Sequence, residues 1–172
     1  GLYLRLQRKY LIVSNKLMKK IAIIGGGISG LYFANLLNNK KDFEYKIFEK
    51  KDNYNFLEGY GIQLSVNSIK LLNSIGFKNL PASEVNFPSK VNFIQANNSK
   101  KICDIDLTQF NDYSNRYTTL KRSTLLKFLF QNVPKEKIKF NSNITKIENA
   151  NNFKITLNEN IHEEFDYLII AD

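Results

Sequence analysis

The stretch IAIIGGGISGLYFANLL, residues 21–37, limits what this chain can fold into more than any other feature. A short continuous apolar run leads straight into three glycines, and from Gly30 the apolar residues Leu31, Ala34 and Leu37, with Leu36, recur at helical spacing. An apolar run without alternation is what a strand covered on both faces requires, so the reading is strand, tight turn, helix. Gly25, Gly27 and Gly30 fill the spacing G-x-G-x-x-G, and each has a separate task. Gly25 permits the turn off the strand, Gly27 leaves no side chain in the way of a pyrophosphate, and Gly30 lets the helix pack closely on the sheet. Gly26 is surplus to that pattern. The first helical turn, with Ile28 and Ser29, then offers unsatisfied N–H groups and the positive end of its dipole to phosphate.

EYKIFEK, residues 44–50, reads as the second strand, and its Glu49 lies nineteen residues after Gly30. A carboxylate at that place can accept hydrogen bonds from both hydroxyls of an adenosine ribose and would repel a 2′-phosphate. Strand, glycines, helix, strand and acid together point to a bound dinucleotide. They leave NAD and FAD equally open.

Farther along, β-branched runs alternate with helical stretches, the pattern of an α/β fold with a parallel sheet. Ser65 or Asn67 is placed to cap a helix through SIKLLNSI, which Gly76 ends. KVNFIQA and KICDIDL flank the turn-like NNSK as an antiparallel hairpin, with Cys103 a half-buried residue in it. SNRYTTLKRSTLLKFLFQNVP returns to helix, with Ser123 near its start and Pro134 after its end. KIKFNS is a short strand. Three alternating segments separated by Asn-rich turns follow, with His162 in a solvated turn. DYLIIAD is a fresh buried strand at the end of the sequence, and the chain reads as an amino-terminal fragment.

Composition removes several function classes. Lysine and arginine number 25 against 16 acids, a net charge of +9, but the lysines are spread along the whole chain and form no stripe for nucleic acid. No apolar run reaches the roughly 20 residues of a membrane-spanning helix, so a soluble protein is expected. One cysteine excludes an internal disulfide, fits a reducing cytoplasm, and with a single histidine is too poor a supply for a zinc site. No Ser-His-Asp or paired-carboxylate arrangement can be assembled for hydrolysis. The only methionine, Met18, opens MKKIAIIGGG, which reads like a natural start. Residues 1–17 are therefore expected to be a disordered leader or upstream artefact.

The stretches MKKIAIIGGGISGLYFANLL, YKIFEK and GYGIQLSVNSIKLLNSIGF resemble the amino-terminal half of the FAD-dependent aromatic-ring hydroxylases, the single-component flavoprotein monooxygenases similar to salicylate and para-hydroxybenzoate hydroxylases. YTTLKRSTLLKFL resembles that family's helix whose leading arginine lies against the flavin, which maps onto Arg122. DYLIIAD resembles the strand before its D-G pair. The resemblance implies a Rossmann-like FAD-binding fold with a parallel sheet, an antiparallel β-meander and part of a substrate-domain β-sheet. Residues 18–85 and 119–172 would belong to the FAD-binding domain and residues 86–118 to a substrate-domain hairpin insertion. It implies FAD as cofactor, NAD(P)H as electron donor, and oxygen with a small aromatic molecule as substrates. Gly25, Gly27, Ile28, Ser29, Gly30, Glu49, Lys50, Gly61 and Arg122 are the cofactor-binding candidates. Gly59, Gln63 and Asn67 lie near them in the pattern, and no residue is assigned a catalytic role. Lys50 and Lys51 stand where the family often carries arginine, and Ile170 where it usually has glycine. Three alternatives stay open: a quinone-precursor hydroxylase or other FAD oxidoreductase, an NAD-binding dehydrogenase module, and a non-catalytic nucleotide-binding fragment.

Overall fold

The computed structural model describes residues 18–57 and 59–171. The expected leader, residues 1–17, lies outside them. The apolar opening run forms β1 (Lys19–Ile24), the glycines follow, and α1 (Ile28–Leu37) leads to β2 (Phe43–Phe48). Next come β3 (Gly61–Leu64), α2 (Val66–Asn73), β4 (Val85–Asn86), β5 (Lys90–Ile94), β6 (Lys101–Asp106), β7 (Thr118–Lys121) and α3 (Arg122–Gln131). The remainder is β8 (Ile138–Lys139), β9 (Ile144–Asn149), β10 (Phe153–Leu157), β11 (Ile161–Phe165) and β12 (Tyr167–Ile170).

The central sheet has the order β12-β1-β2-β8, and each of its pairings is parallel. Successive side chains of a strand point to opposite faces, and here both faces are covered. Ile21, Ile23, Tyr45 and Ile47 face α1 and α3, where they share a core with Leu31, Ala34, Leu125 and Leu129. Ala22 and Phe48 face the other way and pack with Ile155, Leu157 and Phe165 of the antiparallel meander β9–β10–β11. The result is three layers: helices, parallel sheet, meander. Asn35 ties two of the helices together, since its buried Nδ2 donates to the Leu31 carbonyl at 2.8 Å and the Leu129 carbonyl at 2.9 Å. On the meander side, Glu163 accepts from Lys46 of β2 and, at 2.8 Å, from Lys139 of β8. Burial alone would raise the Glu163 pKa, but these two ammonium groups overcome it and hold the carboxyl below its usual range.

Several local expectations change. Thr118–Lys121, read as the approach to a helix, is a strand that pairs antiparallel with β3 and β4. Two adjacent threonines suit a pleated surface, and the partners that fix it lie far away in sequence. The strand in DYLIIAD forms but is not buried. It is an edge of the sheet among the described residues, with Tyr167 48% and Ile170 70% exposed. Cys103 is exposed, because the hairpin β5–β6 has no layer over it among the described residues. His162 sits on β11, its Nδ1 3.1 Å from the Thr156 hydroxyl. Ser65 is the residue that precedes α2, and Asn67 lies within its first turn. Gly76, with φ +94°, adopts the left-handed conformation expected of it.

Candidate functional site

The turn between β1 and α1 sits beyond the carboxyl ends of the parallel strands, where ligands of such sheets gather. Gly25 takes φ +100°, a conformation open to glycine, and its N–H donates to the Phe48 carbonyl at 2.9 Å. A Cβ on Gly30 would fall 2.0 Å from the Gly25 carbonyl oxygen and 3.3 Å from Ile23. That contact is the close helix approach the glycine spacing demands. Gly27 precedes α1, and a Cβ there would meet nothing within 4 Å. A side chain at Gly27 would therefore project into open space.

That space is a cleft of about 780 Å³, within the range of small-molecule sites. Gly27, Ile28, Ser29, Glu49, Lys50 and Arg122 line it, six of the nine predicted residues. Gly25 and Gly30 shape the turn from behind. Gly61 lies outside the lining, on β3, where a Cβ would meet nothing within 4 Å. Gln63 faces Tyr117, whose hydroxyl donates to it at 2.6 Å. Gly59 does line the cleft, and its own Cβ would press on the Ser123 backbone nitrogen at 3.0 Å.

Glu49 is 8% exposed and turned toward the bend. Its Oε2 accepts from the Gly26 N–H at 2.8 Å and its Oε1 from the Lys51 N–H at 3.0 Å. Each carboxylate oxygen has capacity for a further donor, so two adjacent hydroxyls of a ligand can still be gripped. Arg122 opens α3, its backbone N–H donates to the Tyr60 carbonyl at 2.9 Å, and its guanidinium has no ion pair among the described residues. The first turn of α1 carries no acidic residue to compete for an anion. Open backbone at a helix start, an acid beside it and flanking cations suit a group with a diphosphate and a vicinal diol. No cluster of metal ligands occurs among the described residues.

Two residues escaped the sequence reading. Gly26 is not surplus: a Cβ there would lie 2.2 Å from the Tyr54 hydroxyl oxygen and 2.9 Å from Glu49 Oε2. Tyr54 itself donates to the Gly26 carbonyl at 2.7 Å and lines the cleft. Burial, helped by the charge of Glu49, pushes its pKa far above the usual phenol value, so the hydroxyl stays a donor. The middle glycine of GGG, unused by the spacing, was the available sign that another group comes close.

With this geometry in place, relatives can be compared. The family of NAD(P)-binding Rossmann-like domains matches residues 23–54, from β1 to Tyr54. The FAD-dependent monooxygenase subE of Metarhizium robertsii is 28% identical over 146 residues, covering 80% of this chain and 42% of that protein. The crystal structure of Klebsiella pneumoniae HpxO complexed with FAD and uric acid superimposes with a TM-score of 0.72 at 18% identity, over 90% of this chain and 39% of that one. A salicylate hydroxylase substrate complex gives a TM-score of 0.69 at 18% identity, over 90% and 36%. The fold is that of the FAD-dependent hydroxylases. The hydroxylase resemblance read from the glycines, Glu49 and the later helix is thus borne out, as is the α/β Rossmann-like architecture. This chain spans about two fifths of the length of these relatives.

Proposed function

We propose that this chain is the FAD-binding part of a monooxygenase that hydroxylates an aromatic or related small organic molecule with NAD(P)H and oxygen. One observation carries the cofactor reading. Gly27 opens onto the cleft at the start of α1 while the Glu49 carboxylate stands beside the same bend. Similarity to an FAD-dependent monooxygenase, and to structures described with FAD and uric acid or as a salicylate hydroxylase, supports the reaction class.

When bound, FAD supplies the redox chemistry, and the protein supplies binding, orientation and shielding. In this reading Gly27, Ile28 and Ser29 present backbone N–H groups to the diphosphate, with Gly25 and Gly30 fixing the turn. Glu49 holds the ribose hydroxyls and disfavours a 2′-phosphate. Lys50 and Arg122 add positive charge along the cleft, Arg122 toward the flavin. Gly61 stands one step farther off, as support for the strand beside α3. A cytoplasmic setting fits the single exposed Cys103, and no helix among the described residues is long and apolar enough to cross a membrane.

Strand pairing supports the domain division read from the sequence. Val85 of β4 is registered against Leu120 of β7, so the segment between them departs from and returns to adjacent strands. Between them lies β5–β6, with Val91, Phe93, Cys103 and Ile105 on one face and Lys90, Asn92, Asp104 and Asp106 on the other. An amphipathic two-stranded ribbon needs a partner layer to be stable. Residues 86–118 are read as the substrate-side insertion, and residues 18–85 and 119–172 as the two FAD-binding segments.

Titration of the chain with FAD, followed by quenching of flavin fluorescence, tests the proposal. Gly27→Ala is expected to leave the fold intact and to weaken FAD binding about tenfold or more, because its methyl group enters the diphosphate space. The NAD(P)-binding family match favours one second reading, a dehydrogenase module. Tighter binding of NAD than of FAD would select it.

A further inference from the structure

The single residue Gly26 is gripped on both sides. Its N–H donates to Glu49 Oε2 at 2.8 Å, and its carbonyl accepts from the Tyr54 hydroxyl at 2.7 Å. Nothing larger than hydrogen fits between these two side chains, as the 2.2 Å and 2.9 Å approaches to a Cβ show. The Tyr54 ring is itself wedged among Phe56, Phe130 and Phe140, with centroids 5.8, 5.0 and 5.2 Å away. Its hydroxyl is therefore delivered from a fixed ring, not from a mobile loop side chain.

The consequence follows from peptide geometry. No cis bond occurs among the described residues, so the carbonyl of Gly26 and the N–H of Gly27, which share one plane, point in opposite directions. Tyr54 holds the carbonyl toward itself. The Gly27 N–H is thereby turned away from Tyr54, at the residue whose side-chain position is open to the cleft. We infer that Tyr54 is a positioning residue, which sets the Gly26–Gly27 peptide so that the Gly27 N–H is aimed at the diphosphate of the bound dinucleotide. The inference rests on the dinucleotide reading above and adds a residue outside the glycine pattern to it. A donor oriented before binding spares the ligand the cost of ordering it. Glu49, read above as the ribose ligand, reaches the turn through a different group, the Gly26 N–H.

Tyr54→Phe removes the hydroxyl and keeps the ring among its three aromatic neighbours. The 172-residue chain and this variant are titrated calorimetrically with ADP and with adenosine. The expected result is a loss of about five- to tenfold for ADP, the effect of one misdirected hydrogen bond, with adenosine unchanged within about twofold. A structural role for the ring alone would move both ligands together, so equal losses, or no loss for either, overturn the inference. In the unsubstituted chain the Gly27 amide resonance is expected to shift more with ADP than with adenosine. An equal response to the two overturns it without recourse to any variant. Failure of the unsubstituted chain to bind either ligand counts instead against the dinucleotide reading itself.

Discussion

The parallel sheet and the β5–β6 hairpin draw on the same kinds of residue and end in opposite surroundings. In β1 and β2, Ala22, Ile23 and Ile47 have no exposed surface, because helices cover one face and the meander the other. In the hairpin, Phe93, Ile94, Ile102 and Ile105 are 41–68% exposed, because no second layer reaches them among the described residues. Apolar side chains stabilise only what they remove from water. The sheet thus carries the stability of the fold, while the apolar side chains of the hairpin add little to it.

Matched substitutions break this comparison most forcefully. Ile47→Asp would place a charge in the closed helix layer and is expected to cost about 4 kcal/mol or more. Ile105→Asp, on the open ribbon, is expected to stay within about 0.5 kcal/mol. Urea unfolding followed by circular dichroism reads both, and equal losses would mean that the hairpin is as covered as the sheet. A smaller contrast concerns backbone crowding. Gly30→Ala forces a methyl group against the Gly25 carbonyl and is expected to cost about 2 kcal/mol, whereas Gly61→Ala, with open space around it, is expected to be neutral within about 0.5 kcal/mol.

The smallest effect sharpens how the meander is held. Glu163 has its folded pKa lowered by Lys139 and Lys46, so its contribution is complete above its ordinary value of 4.5 and is lost as pH falls through the folded value. Glu163→Gln is expected to cost up to about 1 kcal/mol at pH 7. The gap to the unsubstituted chain should close as pH is lowered from 7 toward 3. A gap that stays constant would assign the loss to shape and not to charge.

The parts legible in the sequence are those whose signal is local. The apolar run, the glycine spacing, α1 and Glu49 lie within thirty residues of one another, and each is where its pattern places it. The three alternating segments of the meander also speak for themselves, since period-two patterning and Asn-rich turns need no distant partner. Thr118–Lys121 did not, because its identity as a strand depends on pairing with residues 61–64 and 85–86. Tyr54 was hidden for the same reason. Its ring and hydroxyl acquire meaning only against Gly26, twenty-eight positions earlier. The exposure of β12 was invisible because sheet order, not composition, makes an edge.

That sheet order also bears on synthesis. Asp166, just ahead of β12, hydrogen-bonds the backbone of Lys20, 146 residues before it. At ribosomal speeds of about 5–20 residues per second, roughly 7 to 30 s separate the emergence of the two. For that interval β1 has one vacant flank, the one that β12 later fills.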